Sequence, residues 1–134
     1  MPHIVIVEDE ASTSWALAEG LSDDGFTIDT FSRAEDALAW MRHTRPDLVI
    51  TDLVLPGMSG LELARRVRRG RGSRPVIMVT AYGTPESLRE AREAGVADCL
   101  TKPFPIEHLR RSVQRALEGG RPVRRRATRV ARSR

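Results

Sequence analysis

Five short apolar runs recur along the chain, each followed by a longer amphipathic stretch, and this alternation constrains the fold more than any other feature. The runs are HIVIV (3–7), FTIDTF (26–31), DLVIT (47–51), PVIMVT (75–80) and ADCL (97–100). Four of them are nearly continuous in apolar character, the pattern of strands covered on both faces by helices. FTIDTF alternates, which predicts an edge strand or a partly exposed one.

The stretches between the runs carry helix signals. Ser32 with Glu35 and Ser59 with Glu62 match the S-x-x-E capping box. Thr84 stands before Pro85, an N-cap residue ahead of a proline at the first helical position. Gly25 and Gly95 stand where a helix would end in the left-handed conformation. Helices are therefore expected near 11–24, 33–43, 59–69, 85–94 and 105–117. Trp15, Leu17, Leu21, Trp40, Leu63, Leu109 and Val113 are among their apolar, packing positions. Five βα units in series imply right-handed crossovers and an α/β fold, a parallel sheet with helices on both faces.

Charge divides the chain in two. Residues 1–118 hold all 18 acids against 15 basic residues, a formal −3, whereas 119–134 add seven arginines and no acid. The body gives no electrostatic support for nucleic-acid binding. The expected organisation is one domain over 1–118 and an arginine-rich tail over 119–134. That tail reads as a flexible solvated linker, since Gly119, Gly120 and Pro122 precede it, or as an arm for acidic partners such as nucleic acid. No apolar run approaches the roughly 18 residues of a membrane span. MPHIVIVEDE runs straight into a strand and is no signal peptide, and a lone cysteine forms no internal disulfide, so a cytoplasmic setting is expected.

In open α/β sheets the site lies outside the carboxyl ends of the strands. Strand 1 ends in Glu8, Asp9 and Glu10, strand 3 in Asp52 and strand 4 in Thr80. Strand 5 leads to Lys102, the single lysine among 22 basic residues. With the strands in the order 2-1-3-4-5, these side chains converge. Clustered carboxylates repel and favour a divalent cation, with Mg²⁺ suited to oxygen ligands beside a phosphate. Carboxylates, a hydroxyl and an ammonium together describe a site for a phosphoryl group.

VIVEDE, DLVITDLVLPGMSGLEL, PVIMVTAYG and GVADCLTKPF carry a resemblance. Residues 1–118 resemble the receiver domain of bacterial two-component response regulators, a flavodoxin-like (βα)5 fold. The resemblance implies that Asp52 is the nucleophile, taking a phosphoryl group from a histidine kinase or a histidine phosphotransfer protein. It implies Mg²⁺ held by Glu8, Asp9, Asp52 and the backbone carbonyl of Val54, with Thr80 and Lys102 each bonding a phosphoryl oxygen. A cis bond between Lys102 and Pro103 also follows from it. The product is a signalling switch and not an enzyme with a separate substrate. Its output passes to a downstream protein through the helix 4–strand 5–helix 5 face, with homodimerisation on phosphorylation a further expectation. A compact ammonium suits such a crevice better than a planar guanidinium, which accounts for the lone lysine.

Cys99 departs from the pattern. The family carries Tyr or Phe there as part of the switch that follows Thr80, whereas Cys99 reads as a small packing residue. Tyr82 is the candidate to gate the site in its place, and Val54 and Tyr82 are the positions that flank the approach of water. His3, His43 and His108 have no ligand spacing between them and are expected at the surface. A phosphohydrolase of the haloacid dehalogenase type also uses Asp, Mg²⁺, Thr and Lys, but it needs a second Asp two residues after the nucleophile, where this chain has Val54. A nucleotide-binding module lacks its glycine-rich motifs here. A receiver within a longer transcriptional regulator remains the alternative to a free-standing one.

Overall fold

The structure, a computed structural model, describes residues 2–69 and 73–119. The tail expected over 119–134 lies outside the described residues, apart from Gly119 at the end of the last helix. Strands β1 (His3–Val7), β2 (Thr27–Phe31), β3 (Leu48–Asp52), β4 (Val76–Thr80) and β5 (Asp98–Thr101) alternate with five helices. These are α1 (Ala11–Ser22), α2 (Ala34–Met41), α3 (Gly60–Arg69), α4 (Pro85–Glu93) and α5 (Ile106–Gly119). The sheet is wholly parallel in the order β2-β1-β3-β4-β5, as expected. The alternating β2 takes an edge and is only partly buried.

Side chains alternate between the two faces of a strand, and the core divides accordingly. Val5, Val7, Val49, Val76 and Met78 face one layer with Leu63, Ala64, Val67 and Ala91 of α3 and α4. Ile4, Ile6, Leu48, Ile50, Ile77 and Val79 face the other with Leu17, Leu21, Leu109 and Val113 of α1 and α5. A sheet covered on both sides buries both rows of its central strands, and β3 and β4 are buried at every position.

The helix signals fare unequally. Thr84 caps α4 as expected, its hydroxyl accepting the Ser87 N–H at 3.0 Å with Pro85 in the first turn. Ser59 Oγ accepts the Glu62 N–H at 3.1 Å at the start of α3. Gly25 and Gly95 have φ of 83° and 91°. The Ser32–Glu35 box does not form: the N-cap of α2 is Arg33, with no side-chain bond, and Glu35 reaches elsewhere.

Two other packing expectations are corrected. Trp40 packs on the core, but Trp15 is 67% exposed, because Leu17 and Leu21 define the buried stripe of α1 and leave Trp15 off it. His3 is half-buried, not a surface residue. Its Nε2 lies 2.5 Å from Asp29 Oδ2 and its ring meets Trp40 edge-on at 5.1 Å. The parallel pairing of β1 with β2, which sets His3 against Thr27, brings Asp29 within reach.

Candidate functional site

The alternation that builds the core also delivers the site. Glu8 and Asp52 extend the rows of Ile4 and Ile6 on β1 and of Leu48 and Ile50 on β3. Lys102 extends the row of Leu100 just past β5. All three therefore emerge on the α1/α5 side of the sheet, and they meet. Lys102 Nζ donates to Glu8 Oε1 at 2.8 Å and to Asp52 Oδ2 at 3.0 Å. Asp9, the next residue after Glu8, is exposed, yet Glu8, Asp9 and Asp52 each offer an oxygen within 4.8 Å of the others.

Both oxygens of Asp52 are held, Oδ1 by the Val54 N–H at 3.1 Å and Oδ2 by Lys102. Glu8 is buried, and its second oxygen accepts the Glu10 N–H at 3.2 Å. Burial pushes the Glu8 carboxyl above its usual range, against the opposing pull of Lys102 and the Glu10 N–H. Burial alone would lower the Lys102 ammonium, but its bonds to Glu8 and Asp52 outweigh that and hold it above its usual range. The ammonium therefore stays charged between carboxylates that outnumber it.

Three carboxylates against one ammonium leave a net negative pocket of hard oxygen donors. That donor set fits Mg²⁺, which binds through a few carboxylates while keeping waters.

Thr80 ends β4 fully buried on the opposite row from Asp52, and its hydroxyl accepts the Tyr82 N–H at 3.1 Å. The Lys102 N–H donates to the Thr80 carbonyl at 2.8 Å, and the Lys102–Pro103 bond is cis. Val54 and Tyr82 are 55% and 75% exposed at the rim. Cys99 is half-buried against the core on the α3/α4 side. Burial first, and Asp98 second, push its thiol up, which makes it a poor nucleophile.

Three features of the site were not foreseen. Gly60 opens α3 so close to the strand that a Cβ there would lie 1.8 Å from the Asp52 carbonyl oxygen. Its place in SGLEL after a loop is the only hint the sequence holds. Glu35 reaches across from α2 to the Met58 N–H. A groove of about 590 Å³ beside Lys102 is lined by Ala16 and Gly20 of α1 together with Pro103, Phe104 and Ile106.

Residues 4–114 match the family of the response regulator receiver domain. The chain belongs to that family. Among curated receiver-containing relatives, it is 36% identical over 124 residues to the phosphate regulon transcriptional regulatory protein PhoB of Rhizobium meliloti, covering 91% of this chain and 55% of that protein. It is 33% identical over 112 residues to the DNA-binding transcriptional regulator NtrC of Salmonella typhimurium, covering 84% of this chain and 24% of that protein. The chain thus spans about half or less of these relatives. Solved receiver structures agree. The signal receiver domain of a LuxO repressor protein from Vibrio parahaemolyticus superposes with a TM-score of 0.84 at 28% identity, over 89% of this chain and 92% of that one. The chemotaxis response regulator CheY4 of Vibrio cholerae superposes with a TM-score of 0.80 at 31% identity, over 87% and 99%. Receiver domains are the phosphoaccepting switches of two-component systems. Among the described residues, no helix is long and apolar enough to cross a membrane.

Proposed function

We propose that Asp52 accepts a phosphoryl group from a histidine kinase or a histidine phosphotransfer protein, and that the modified domain then changes its partners. The supporting observation is the Asp52 carboxylate itself: buried, oriented through both oxygens, and set among acids beside the chain's single lysine. In the transfer, a carboxylate oxygen attacks phosphorus in line. The new O–P bond forms as the donor's P–N bond breaks, and the leaving imidazole keeps the electron pair and takes up a proton. Glu8, Asp9, Asp52 and the Val54 carbonyl would hold Mg²⁺, which when bound supplies positive charge to the phosphoryl oxygens.

The chain's own groups do the rest. Lys102 must release Asp52 to meet a phosphoryl oxygen, and Glu8 remains to hold the ammonium in the crevice. The Thr80 hydroxyl is the donor for a further oxygen. Such a reaction asks for positioning and charge compensation more than for acid–base work. Cys99 leaves the α4–β5–α5 face without the usual aromatic partner to Thr80, so output there rests on the backbone that joins Thr80 to Tyr82.

The relatives favour a second element of the reading. PhoB and NtrC are transcriptional regulators longer than this chain. The receiver is accordingly read as the controlling part of a regulator, acting on an effector or a second receiver through the α4–β5–α5 face.

Incubation with Mg²⁺ and a small phosphodonor should add one phosphate to the parent protein and none to Asp52→Ala, measured by intact mass. Label that persists in Asp52→Ala would sink the assignment.

A further inference from the structure

Glu35 matches half of a capping box, yet that box does not form at the start of α2, where the N-cap is Arg33. Its carboxylate turns instead toward the loop that leaves Asp52. Oε2 accepts the Met58 N–H at 3.0 Å, and a Cβ on Gly57 would lie 2.5 Å from that same oxygen. Gly57 has a φ of 73°, so the loop makes a left-handed turn directly beneath the carboxylate. The Arg33 guanidinium stands 3.6 Å away. The Met58 N–H holds the Glu35 carboxyl below its usual range, so the group is an anion that accepts.

The hold is specific to one part of the loop. Its base is tied to the sheet and to itself, through Leu53 N–H to the Val79 carbonyl at 3.2 Å and Gly60 N–H to the Leu53 carbonyl at 2.9 Å. Leu55 is buried in the core, an apolar anchor that fixes depth without direction. Among the described residues, the Glu35–Met58 bond is the directional tie from residues 55–58 to another element. Stability alone accounts poorly for the arrangement. Glu35 Oε1 is closed to solvent and accepts no hydrogen bond, the one such side-chain atom among the described residues. An unmade bond of that kind is unfavourable.

We infer that Glu35 is a positioning residue: it fixes the loop that presents the Val54 carbonyl, and so sets the affinity of the Asp52 cluster for a divalent cation. The inference rests on the metal site proposed above. A group that orients a ligand from behind governs affinity without touching the ion. Glu35→Asp keeps the charge and the helix position but shortens the reach. Glu35→Gln keeps an oxygen acceptor at full reach.

Mg²⁺ affinity is measured by calorimetric titration of the intact chain, with melting in EDTA as the control for fold. Glu35→Asp and Glu35→Ala should each weaken Mg²⁺ binding about tenfold. Glu35→Gln should stay within about twofold of the parent on the same scale. At saturating Mg²⁺, phosphorylation of Glu35→Asp by a small phosphodonor should recover to the parental rate. If the parent binds Mg²⁺ and Glu35→Asp binds it equally well, the positioning role is wrong and the metal site stands. If all three variants, Gln included, lose affinity in step with melting temperature in EDTA, Glu35 is merely structural. A parent that binds no Mg²⁺ overturns the site reading and this inference together.

Discussion

Two ion-pair clusters in this molecule invert each other. On α3, Glu62 is ringed by Arg65, Arg66 and Arg69 at 3.8, 3.0 and 3.7 Å, one anion among three cations on an exposed face. At the carboxyl end of the sheet, Lys102 sits between Glu8 and Asp52 with Asp9 alongside, one cation among three anions in a crevice. The first follows helix geometry, since neighbours three and four residues apart share a face and arginines in the last turn complement the helix dipole. Water screens its surplus charge. The second draws its members from β1, β3 and the end of β5, and it buries part of the surplus. Excess charge on a surface is ordinary. Excess charge that folding has gathered from three strands and partly removed from water favours a neutralising partner, which is the ground for the proposed metal site.

Substitutions can break the contrast, and the largest effect should come from the crevice. Lys102→Met removes the cation that pairs with the buried acids. Without divalent cations it should destabilise the fold by about 2 kcal/mol, less than a fully enclosed pair would lose because the ammonium is one-fifth exposed. Millimolar Mg²⁺ should restore much of that loss, as read from urea midpoints with and without the ion. An equal loss in both conditions would mean that the crevice does not act as a charge trap.

Asp9→Asn should move the other way. Removing one of three like charges relieves repulsion, so the variant should gain up to about 1 kcal/mol in EDTA. It should also forfeit the response to Mg²⁺, which for the parent is about 1.4 kcal/mol at ten times the dissociation constant. A variant that loses stability in EDTA would contradict a repulsive cluster.

The smallest effect belongs to α3. Glu62→Gln should shift the melting temperature slightly, and the difference should disappear in molar salt. Its pH dependence has a definite sign. The Arg66 hydrogen bond, with the nearby arginines, holds the Glu62 carboxyl below its ordinary value of 4.5. Its contribution is therefore complete above that value and is lost as pH falls through the lower folded one. The gap between parent and Glu62→Gln should close on acidification below pH 4.5. A gap that persists at low pH or high salt would show that packing, not charge, holds this face.

What the sequence could and could not disclose follows the same division between near and far. The strands, their burial and the acids at their ends were legible because apolar continuity and strand ends are local properties. Ser59 with Glu62 and Ser32 with Glu35 show where such reading fails. The two patterns are identical in spelling, yet only the first contributes a cap. Glu35 finds a better donor in Met58, 23 residues further on, and no local rule sees across that distance. Trp15 and Trp40 likewise share helical spacing, but only contact with the sheet decides which ring turns inward. His3 looked isolated until strand pairing brought Asp29 beside it.

The reach of Lys102 has a consequence for how the domain comes together. Its two bonds span 94 and 50 residues, among the longest separations in the fold. Contacts that close such loops form late, after shorter-range pairing has been established. In a chain emerging from the ribosome, β1, β3 and β4 and the acids beside them are synthesised before the last unit, which carries the lysine. Until then the acids are present in the chain without the counter-charge they later meet. The lysine thus marks completion: a chain interrupted before residue 102 retains the proposed phosphate acceptor and lacks the cation that holds it in place.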